Sequence, residues 1–427
     1  MKVLFLHPNM PGQYKHLARI FGEDKNNQVV FLTKPKKGVE IPGVQKIEYT
    51  IKGEVPKESH RYLIPLERGI FASQEVFRLC KKMKDEGFIP DVIVGHLGWG
   101  DGLFLKDIFP DTPILAFLEF FYNSNGSDID FLTQDDDEEK STYDDSARIR
   151  MKNAIHLFNM TYCDWGISPT WFQQKQHPKD FHHKISVIHD GVDTTKFVPG
   201  KNKKLTLPNG ITLSPEDEVI TYVSRNFEPY RGFPQFMKAA EQILKERPNA
   251  HIIMVGQDGV SYGKEPKDGI PYRHKYMKEL DIDTSRFHFL GYLQFEDLLK
   301  VMQISSAHIY LTVPFVLSWS MIESMSAGCL MLCSDTEPVT EVIEHNKNGL
   351  LVDFFKPEEI VKSVNEIFEH PTRMQHLRDA ARETAIEKYD LEKLLPMHIS
   401  LVKELAEGKM PPPTAKKIQN LYKEKKK

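Results

Sequence analysis

The chain contains little cysteine. Its 427 residues include four, Cys80, Cys163, Cys329 and Cys333, and none of them forms a Cys-x-x-Cys pair. The last two lie within one apolar run, "CLMLCSD". Unpaired cysteines in such surroundings are typical of buried thiols in a reducing compartment rather than of disulfides.

Long hydrophobic runs are also missing. The sequence has no stretch of about 18 apolar residues, so no transmembrane helix is predicted. The opening "MKVLFLHPNMPG" contains an apolar run that is too short for the core of a signal peptide. We therefore expect a soluble, cytoplasmic protein.

Excess charge of one sign is absent as well. The chain has 56 Lys+Arg against 60 Asp+Glu, a net charge of -4, which provides no general attraction to nucleic acid or to an anionic membrane. Two segments depart from this balance. The C-terminal "KKIQNLYKEKKK" is basic and is predicted to be a solvated end, with a phosphate or lipid contact as the alternative. "TQDDDEEKSTYDD" is acidic and is predicted to be a mobile surface loop of the first domain.

What the chain does contain is an alternation of short apolar runs and longer amphipathic stretches. The runs predict strands in two series: "KVLFLHP", "QVVFLT", "DVIVGH" and "PILAFLEF", then "KISVIHDG", "EVITYVSR", "AHIIMVGQ", "FHFLGYL", "AHIYLTV" and "CLMLCSD". Strands separated by helices predict parallel sheets covered on both faces, here in two successive doubly wound α/β domains. We place the first domain at residues 1–195 and the second at 196–390. Residues 391–427 are predicted to form a helix that packs back on the first domain, followed by the basic tail.

Two arginines follow one of the predicted strands in "TYVSRNFEPYRGFPQF". Arg225 and Arg231 stand where the strand is succeeded by a helix, and Gly232 comes next. In open α/β sheets, ligands bind beyond the carboxyl ends of the strands, where a helix N-terminus favours anions. Arginine can hold phosphate oxygens in bidentate fashion, so the pair predicts a diphosphate site. The alternative is a pair of surface arginines in salt bridges with Glu228 and Glu241.

A second stretch, "TVPFVLSWSMIESMSAG", follows another predicted strand. Its helix is predicted to carry Glu323 in the first turn. A carboxylate there can accept hydrogen bonds from ribose hydroxyls, as acidic residues do in dinucleotide folds. The alternative is that Glu323 only favours the helix dipole.

Together these stretches resemble the second domain of retaining nucleotide-sugar glycosyltransferases of the GT-B architecture, the group 1 and family 4-like enzymes. The family's phosphate-binding Arg and Lys-Gly fall on Arg225 and on Arg231 with Gly232, and its ribose-binding Glu falls on Glu323. "VIHDGVDTTKFVP" resembles the family's interdomain join, and "GLLVD" resembles the strand that closes its second domain. The resemblance covers nearly the whole chain. It implies two Rossmann-like domains that face each other across a cleft, with the donor on the second.

The chain departs from the family pattern at two positions. The glutamate that faces the transferred sugar in many members falls on Phe315. That role would then pass to the hydroxyls and backbone amides of Ser318, Trp319 and Ser320. The phosphate-binding Lys is replaced by Arg231, which still supplies a cation.

In the first domain, the resemblance implies a sugar-contacting histidine after the fourth strand. Glu119 in "PILAFLEFFYNSNGSD" is its nearest counterpart, and its position within an apolar run favours a functional role. His96 in "VGHLGWGDG" also ends a strand; it is either a second catalytic group or a structural hydrogen bonder. Gly12 in "NMPGQY" resembles the flexible glycine turn that faces the donor in such enzymes.

The resemblance therefore implies a retaining glycosyltransferase that moves a sugar from a UDP- or GDP-sugar to a hydroxyl acceptor. A saccharide or glycan is the expected acceptor, with modified nucleic acid as an alternative. The nucleotide-sugar is a substrate, and no cofactor is expected. No metal is implied either, because the two arginines neutralise the leaving diphosphate; "DIDF" from Asp128 has the spacing of a ligand pair but lies beside the acidic segment. Two other classes remain open: a nucleotide-sugar epimerase, which needs no acceptor, and a non-catalytic nucleotide-binding partner protein.

Overall fold

The computed structural model describes residues 1–134, 142–200 and 203–411. Within these residues the chain divides into two compact units. The first unit contains residues 1–124, 142–190 and 392–411, and the second contains 125–134 and the described part of 191–391. Most of the acidic segment and the basic C-terminal tail lie outside the described residues.

The first unit is built on a parallel sheet. Its strands in the described part of the chain are β1 (Lys2–Leu6), β2 (Gln28–Thr33), β3 (Val44–Glu48), β4 (Val92–Gly95), β5 (Ile114–Phe117), β6 (Trp165–Ser168) and β7 (Ile185–Val187). Their order is β3-β2-β1-β4-β5-β6-β7. Alternate side chains of β1 enter two different cores: Val3 and Phe5 lie on one face, and Leu4 and Leu6 lie on the other. The sheet is therefore apolar on both faces, as a buried parallel sheet requires.

The second unit has the same plan. A small antiparallel pair, β8 (Leu205–Thr206) and β9 (Thr212–Leu213), precedes the main sheet. The main strands are β10 (Val219–Asn226), β11 (His251–Gln257), β12 (Phe287–Gly291), β13 (Ala307–Tyr310), β14 (Met331–Ser334) and β15 (Leu350–Val352). Their order is β12-β11-β10-β13-β14-β15, and all are parallel.

The prediction of two doubly wound α/β domains is confirmed. One strand was grouped wrongly: "KISVIHDG", placed with the second series, forms β7 and pairs with β6 at the edge of the first sheet. The run itself carries no information about its neighbour, because strand pairing is decided by the fold of the whole unit. The thiol prediction also holds, since all four cysteines are free and buried.

Helices cover the faces of both sheets. In the described part of the chain they are α1 (Lys15–Glu23), α2 (Ile64–Asp85), α3 (Leu105–Ile108), α4 (Asp128–Phe131), α5 (Tyr143–Lys152), α6 (Ala154–Tyr162), α7 (Trp171–Gln176), α8 (Phe233–Glu246), α9 (Tyr272–Glu279), α10 (Phe295–Gln303), α11 (Trp319–Ser326), α12 (Glu337–Thr340), α13 (Pro357–Glu369), α14 (Pro371–Lys388) and α15 (Leu391–Ala406). Among these helices, none combines the length and the apolar character that a membrane span needs.

The helices dock through apolar faces at helical spacing. In α2 the buried positions Ala72, Val76, Cys80 and Met83 recur every three or four residues. In α15, Leu401, Val402 and Leu405 enter the core of the first unit beside β1. The last helix is therefore an integral part of that unit.

The strand order places a switch point in each sheet. In the first sheet the order reverses between β1 and β4, and in the second it reverses between β10 and β13. Loops leaving the carboxyl ends of two such strands diverge to opposite faces and leave a crevice between them. The segments that follow these four strands therefore form the natural binding region of each unit.

A buried histidine connects the elements around the second switch point. His308 of β13 is fully buried, with Nδ1 bonded to Thr221 Oγ1 of β10 at 2.8 Å and Nε2 bonded to Ser324 Oγ of α11 at 3.1 Å. Burial lowers the pKa of His308 to about 3, so the ring is neutral at physiological pH. It thereby links two strands and the helix that carries Glu323.

Candidate functional site

The two arginines of the sequence motif occupy different environments. Arg225 is the penultimate residue of β10 and is exposed. Arg231 ends a short 3₁₀ helix, Pro229–Arg231, and is only 6% exposed. Both lie at the carboxyl end of β10, beside the switch point, as the sequence predicted for an anion site.

Arg231 connects the segment after β10 to the segment after β13. Its Nη1 donates to Thr312 Oγ1 at 2.8 Å and to the Val316 carbonyl at 3.0 Å. The guanidinium carbon lies 5.3 Å from the ring centroid of Tyr262, at cation–π distance. A guanidinium has five N–H donors, so these two bonds leave donors for an anionic ligand.

The surroundings of Arg231 preserve its charge. Burial of the guanidinium acts to lower its pKa, but the neighbouring Tyr310, Tyr262 and Glu228 act in the opposite direction, and the pKa lies above its ordinary value. A buried cation that stays charged is costly unless it is well partnered. The site therefore keeps a permanent positive charge with little contact with water.

The alternative of surface salt bridges does not hold. The Glu228 carboxylate is buried and accepts hydrogen bonds from the backbone amides of residues 261–263, at 2.9 to 3.2 Å. Glu241 pairs with Lys245 at 3.0 Å. Among the described residues, no hydrogen bond or ion pair engages the side chain of Arg225. By holding the turn at 261–263, Glu228 also fixes Tyr262 over Arg231.

Gly232 has a packing reason for its identity. It adopts φ +64°, and a Cβ atom on it would lie 2.4 Å from Cβ of Leu311. Only glycine permits both the left-handed backbone and this close approach to the end of β13. The tight turn lets α8 begin directly after Arg231.

The helix after β13 begins earlier than predicted. It runs from Trp319 with Ser318 as N-cap, so Glu323 lies in the second turn rather than the first. The prediction of a first-turn Glu323 is wrong because the serine-rich loop is already helical at Trp319. A dipole effect fades beyond the first turn, which weakens the helix-dipole alternative for Glu323. Its side chain is half-buried.

The start of this helix carries hydroxyls. The Ser318 amide donates to Tyr310 Oη at 2.9 Å, and the Ser318 and Ser320 hydroxyls are bonded to each other at 2.7 Å. Ser318 makes no side-chain cap to the first helical amides. Trp319 between the two serines is 43% exposed. An N-terminus of this kind favours an anionic or hydroxylated ligand.

Phe315 occupies an aromatic cluster. Its ring lies 5.5 Å from that of Tyr230 and 5.1 Å from that of Tyr262, and the residue is buried. At the position of the family's sugar-facing glutamate, this chain therefore has a packing residue that also borders the aromatic partner of Arg231.

In the first unit, His96 and Glu119 are brought together. His96 follows β4, is buried, and has Nε2 at 3.3 Å from Oε2 of the partly exposed Glu119, which follows β5. The His96 ring stacks on Trp99 at 4.0 Å between centroids. Its Nδ1 is buried and has no hydrogen-bond partner among the described residues. His96 thus has both a structural contact and an unused polar atom.

His7 belongs to the same cluster but was not predicted. It follows β1, and its ring lies 5.3 Å from those of both His96 and Trp99. The Asn9 amide donates to Nδ1, so Nε2 carries the proton that is shared with Gln13 Oε1 at 2.9 Å. Burial, reinforced by the neighbouring His96, lowers the pKa of His7 to about 3. The sequence "FLHPN" could have indicated His7, because a polar residue directly follows the apolar run of the first strand.

Gly12 packs directly on His7. It has φ +51°, and a Cβ atom there would lie 2.4 Å from His7 Nε2. Because position 12 has no room for a side chain, the turn after β1 can pack directly against the histidine cluster.

In the described part of the chain, no group of three or more His, Cys, Asp or Glu side chains is arranged so that it could hold a metal ion. The two aspartates of "DIDF" have other partners. Asp128 accepts from Tyr230 Oη at 2.7 Å, and Asp130 forms the capping box of α4 with Ser127.

The packing of Gly12 on His7 predicts a specific loss of stability. Gly12→Ala should lower the free energy of unfolding by about 1–2 kcal/mol for the left-handed backbone and by a further ~1–3 kcal/mol for the clash. The matched control is Gly38→Ala, which has φ +73° and no atom within 4 Å of its Cβ, so it should show only the first loss. Urea denaturation of both variants measures the difference, and equal losses would contradict the close contact.

Comparisons with known proteins agree with this architecture. Residues 25–197 match the glycosyl transferase family 4 group, and residues 208–384 match glycosyl transferases group 1. An uncharacterized glycosyltransferase of Methanocaldococcus jannaschii is 22% identical over 223 residues, which cover 52% of this chain and 54% of the relative. The chain spans about half the length of the curated relatives it matches.

Solved structures share the fold over nearly the whole chain. Anabaena HepE, in complex with UDP-glucose, has a TM-score of 0.64 at 15% identity and covers 95% of this chain and 100% of its own. Sucrose-phosphate synthase from Thermosynechococcus elongatus has a TM-score of 0.67 at 14% identity, covering 96% and 100%. At these identities the likeness concerns the fold alone. Taken with the two family matches, it identifies the chain as a member of the glycosyltransferases of the GT-B architecture.

Proposed function

We propose that the protein transfers a sugar from a nucleoside-diphosphate donor, a UDP- or GDP-sugar, to a hydroxyl acceptor. The observation that carries the proposal is the buried, permanently charged Arg231 at the switch point between β10 and β13. Arg225 supplies a second, exposed cation at the end of the same strand. Two cations at a strand end suit a ligand with two negative charges, which is what a diphosphate provides.

The chemistry asked of these groups is stabilisation of the leaving diphosphate. When the bond between the sugar and the diphosphate breaks, negative charge grows on the phosphate oxygens. The bonds from Arg231 Nη1 to Thr312 and Val316 hold the guanidinium in one orientation. Its remaining N–H donors therefore need little reorganisation during the reaction. The N-terminus of α11, at Ser318 and Ser320, adds the partial positive charge of a helix dipole.

Glu323 is proposed to bind the donor ribose. A half-buried carboxylate in the second turn of α11 contributes little to the helix dipole, which favours a ligand role. The helix is anchored to the sheet through Ser324 and His308. Its orientation is therefore rigid, as hydrogen bonding to two ribose hydroxyls requires.

The first unit is proposed to supply the acceptor side of the reaction. Glu119 and His96 are the polar pair at the ends of β5 and β4, with Glu119 partly exposed and His96 behind it. We propose that the sugar is transferred with retention of configuration. A leaving diphosphate oxygen takes the proton of the attacking hydroxyl, and Glu119 contacts the sugar. The proposed acceptor is a saccharide or glycan.

Neither a cofactor nor a metal ion is part of the proposal. The arginines and the helix N-terminus provide the positive charge that a divalent cation supplies in other phosphate sites. The nucleotide-sugar itself is consumed as a substrate.

A donor screen tests the proposal directly. UDP- and GDP-sugars are incubated with the protein with and without excess EDTA, and release of the nucleoside diphosphate is measured. Hydrolysis or transfer of at least one donor, unchanged by EDTA, is expected. Conversion of the donor into its epimer without release of the diphosphate would identify an epimerase instead. If the protein binds none of these nucleotides, the proposed sugar transfer is wrong.

Replacing Arg225 should weaken nucleotide binding without affecting the fold. A hydrogen bond to a charged group contributes ~1.5–3 kcal/mol, so Arg225→Ala should weaken UDP or GDP binding by about 10- to 100-fold. The side chain is exposed, so the melting temperature should stay unchanged. Arg373→Ala removes an exposed arginine on α14 and is the control. Calorimetric titration decides the matter, and equal affinities in both variants would reduce Arg225 to a surface charge.

Replacing Glu323 should discriminate between nucleotides. Glu323→Gln removes the charge-assisted bonds to ribose and should weaken ribonucleotide binding, with a smaller effect on a 2′-deoxynucleotide that already lacks one hydroxyl. Calorimetry with UDP and 2′-deoxy-UDP, paired with thermal melts, measures this. Equal losses of affinity for both nucleotides, together with a lowered melting temperature, would contradict the ribose-binding role of Glu323.

A further inference from the structure

The second unit includes a short segment that is distant in sequence. Residues 125–134, which we call the inserted segment, are flanked on both sides along the chain by residues of the first unit, yet their contacts belong to the second. The segment contains the single-turn helix α4, closed by a capping box between Ser127 and Asp130. It is thus locally ordered at its start by its own hydrogen bonds.

Its first anchor is a buried carboxylate. Asp128 is 1% exposed, and its Oδ2 accepts a hydrogen bond from Tyr230 Oη at 2.7 Å. The Ser127 hydroxyl donates to the other carboxylate oxygen at 3.0 Å. Burying a carboxylate is costly unless hydrogen bonds compensate for its lost hydration. Asp128 is therefore committed to Tyr230, the residue directly before Arg231.

Its second anchor is aromatic. The Phe131 ring lies 5.2 Å from that of Phe354 and 4.9 Å from that of Phe355, in the segment after β15. Phe354 is buried and lies against Gly232, where a Cβ atom would come within 3.1 Å of its ring. The inserted segment thus contacts the residue before Arg231 and, through Phe354, the residue after it.

Tyr230 is held on other sides as well. Its carbonyl accepts from the Val313 amide at 3.1 Å, and its ring packs edge-on against Phe315. The short helix Pro229–Arg231 has only three residues and cannot hold its shape alone. Its geometry therefore depends on contacts made by Tyr230 and Gly232; the inserted segment contacts Tyr230 directly and supports Phe354, which packs against Gly232.

We infer that the inserted segment is a positioning element for residues 228–232, the proposed nucleotide-binding loop. Asp128 acts through Tyr230, and Phe131 acts through Phe354, to orient Arg231 toward the donor diphosphate. The inference rests on the proposed function. The positioning residues touch no substrate; they hold the backbone on which the phosphate-binding cation stands. An interaction that pre-organises a loop raises affinity because the ordering cost is already met in the free protein.

A double-mutant cycle tests the Asp128–Tyr230 contact with UDP as the probe. Asp128→Asn and Tyr230→Phe should each weaken UDP binding in calorimetry by about 10-fold, as expected for loss of a bond to a charged group. The double variant should bind no worse than the weaker single variant, since both changes remove the same contact. Phe131→Ala tests the second anchor independently and should also weaken UDP binding.

Matched controls separate positioning from general loss of stability. Asp217→Asn removes a carboxylate that caps Ser214 before β10, and Tyr272→Phe removes a hydroxyl that donates to the Lys264 carbonyl. Both should leave UDP affinity unchanged. If the control variants weaken binding as much as the Asp128 and Tyr230 variants, or if the latter bind UDP normally, the positioning role is wrong.

Hydrogen exchange in the nucleotide-free protein gives a second readout. Peptides covering residues 228–232 should exchange faster in Asp128→Asn and Phe131→Ala than in the wild type, while peptides of β11 should not change. Unchanged exchange at 228–232 overturns the inference whatever the nucleotide results. If the wild type binds neither UDP nor GDP, the proposed function fails, and exchange still decides whether the segment orders this loop.

Discussion

The burial of one positive charge is the constraint around which the second unit is arranged. Arg231 is nearly inaccessible to water, and a guanidinium in that position is stable only with oriented acceptors and a polarisable neighbour. Thr312 and Val316 provide the acceptors and Tyr262 provides the ring face. Thr312 and Val316 belong to the segment after β13 and Tyr262 to the segment after β11, so the carboxyl ends of β10, β11 and β13 are held together by the requirements of a single side chain.

Several residues that look unusual in sequence follow from this constraint. Gly232 allows the turn after Arg231 to approach β13, and buried Glu228 shapes the loop that carries Tyr262. Phe315 fills the space beside Tyr230 and Tyr262 with apolar surface. An environment of low polarity strengthens the interaction of the remaining arginine donors with an anion. The same features that stabilise the cation therefore support the phosphate-binding role proposed for it.

The first unit places a different kind of chemistry at its own switch point. Two buried histidines, His7 and His96, lie edge to face behind the partly exposed Glu119. Desolvation lowers the pKa of His7 and keeps it neutral, so this side chain offers hydrogen bonds rather than positive charge. The contrast between a neutral buried His7 in one unit and permanent cations in the other fits the proposed division between contacts to a sugar or acceptor and contacts to a diphosphate.

The two doubly wound domains could be predicted from the amino-acid sequence, because buried parallel strands leave apolar runs that are recognisable without knowing their neighbours. The positions of Arg225, Arg231, Glu119 and His96 at or beyond strand ends could be predicted as well, since they follow directly from these runs. In β3, Val-Gln-Lys-Ile-Glu, polar residues interrupt the apolar ones, and β6, Trp-Gly-Ile-Ser, has only four residues, so neither left such a signal. The edge position of β7 depended on pairing. Packing in the folded chain, and not local pattern, establishes that Arg231 is buried while Arg225 is exposed, that Glu323 lies in the second turn of α11, and that Asp128 contacts Tyr230 from 102 positions away. These properties arise from packing between distant segments, and no local pattern encodes which side chain will be enclosed.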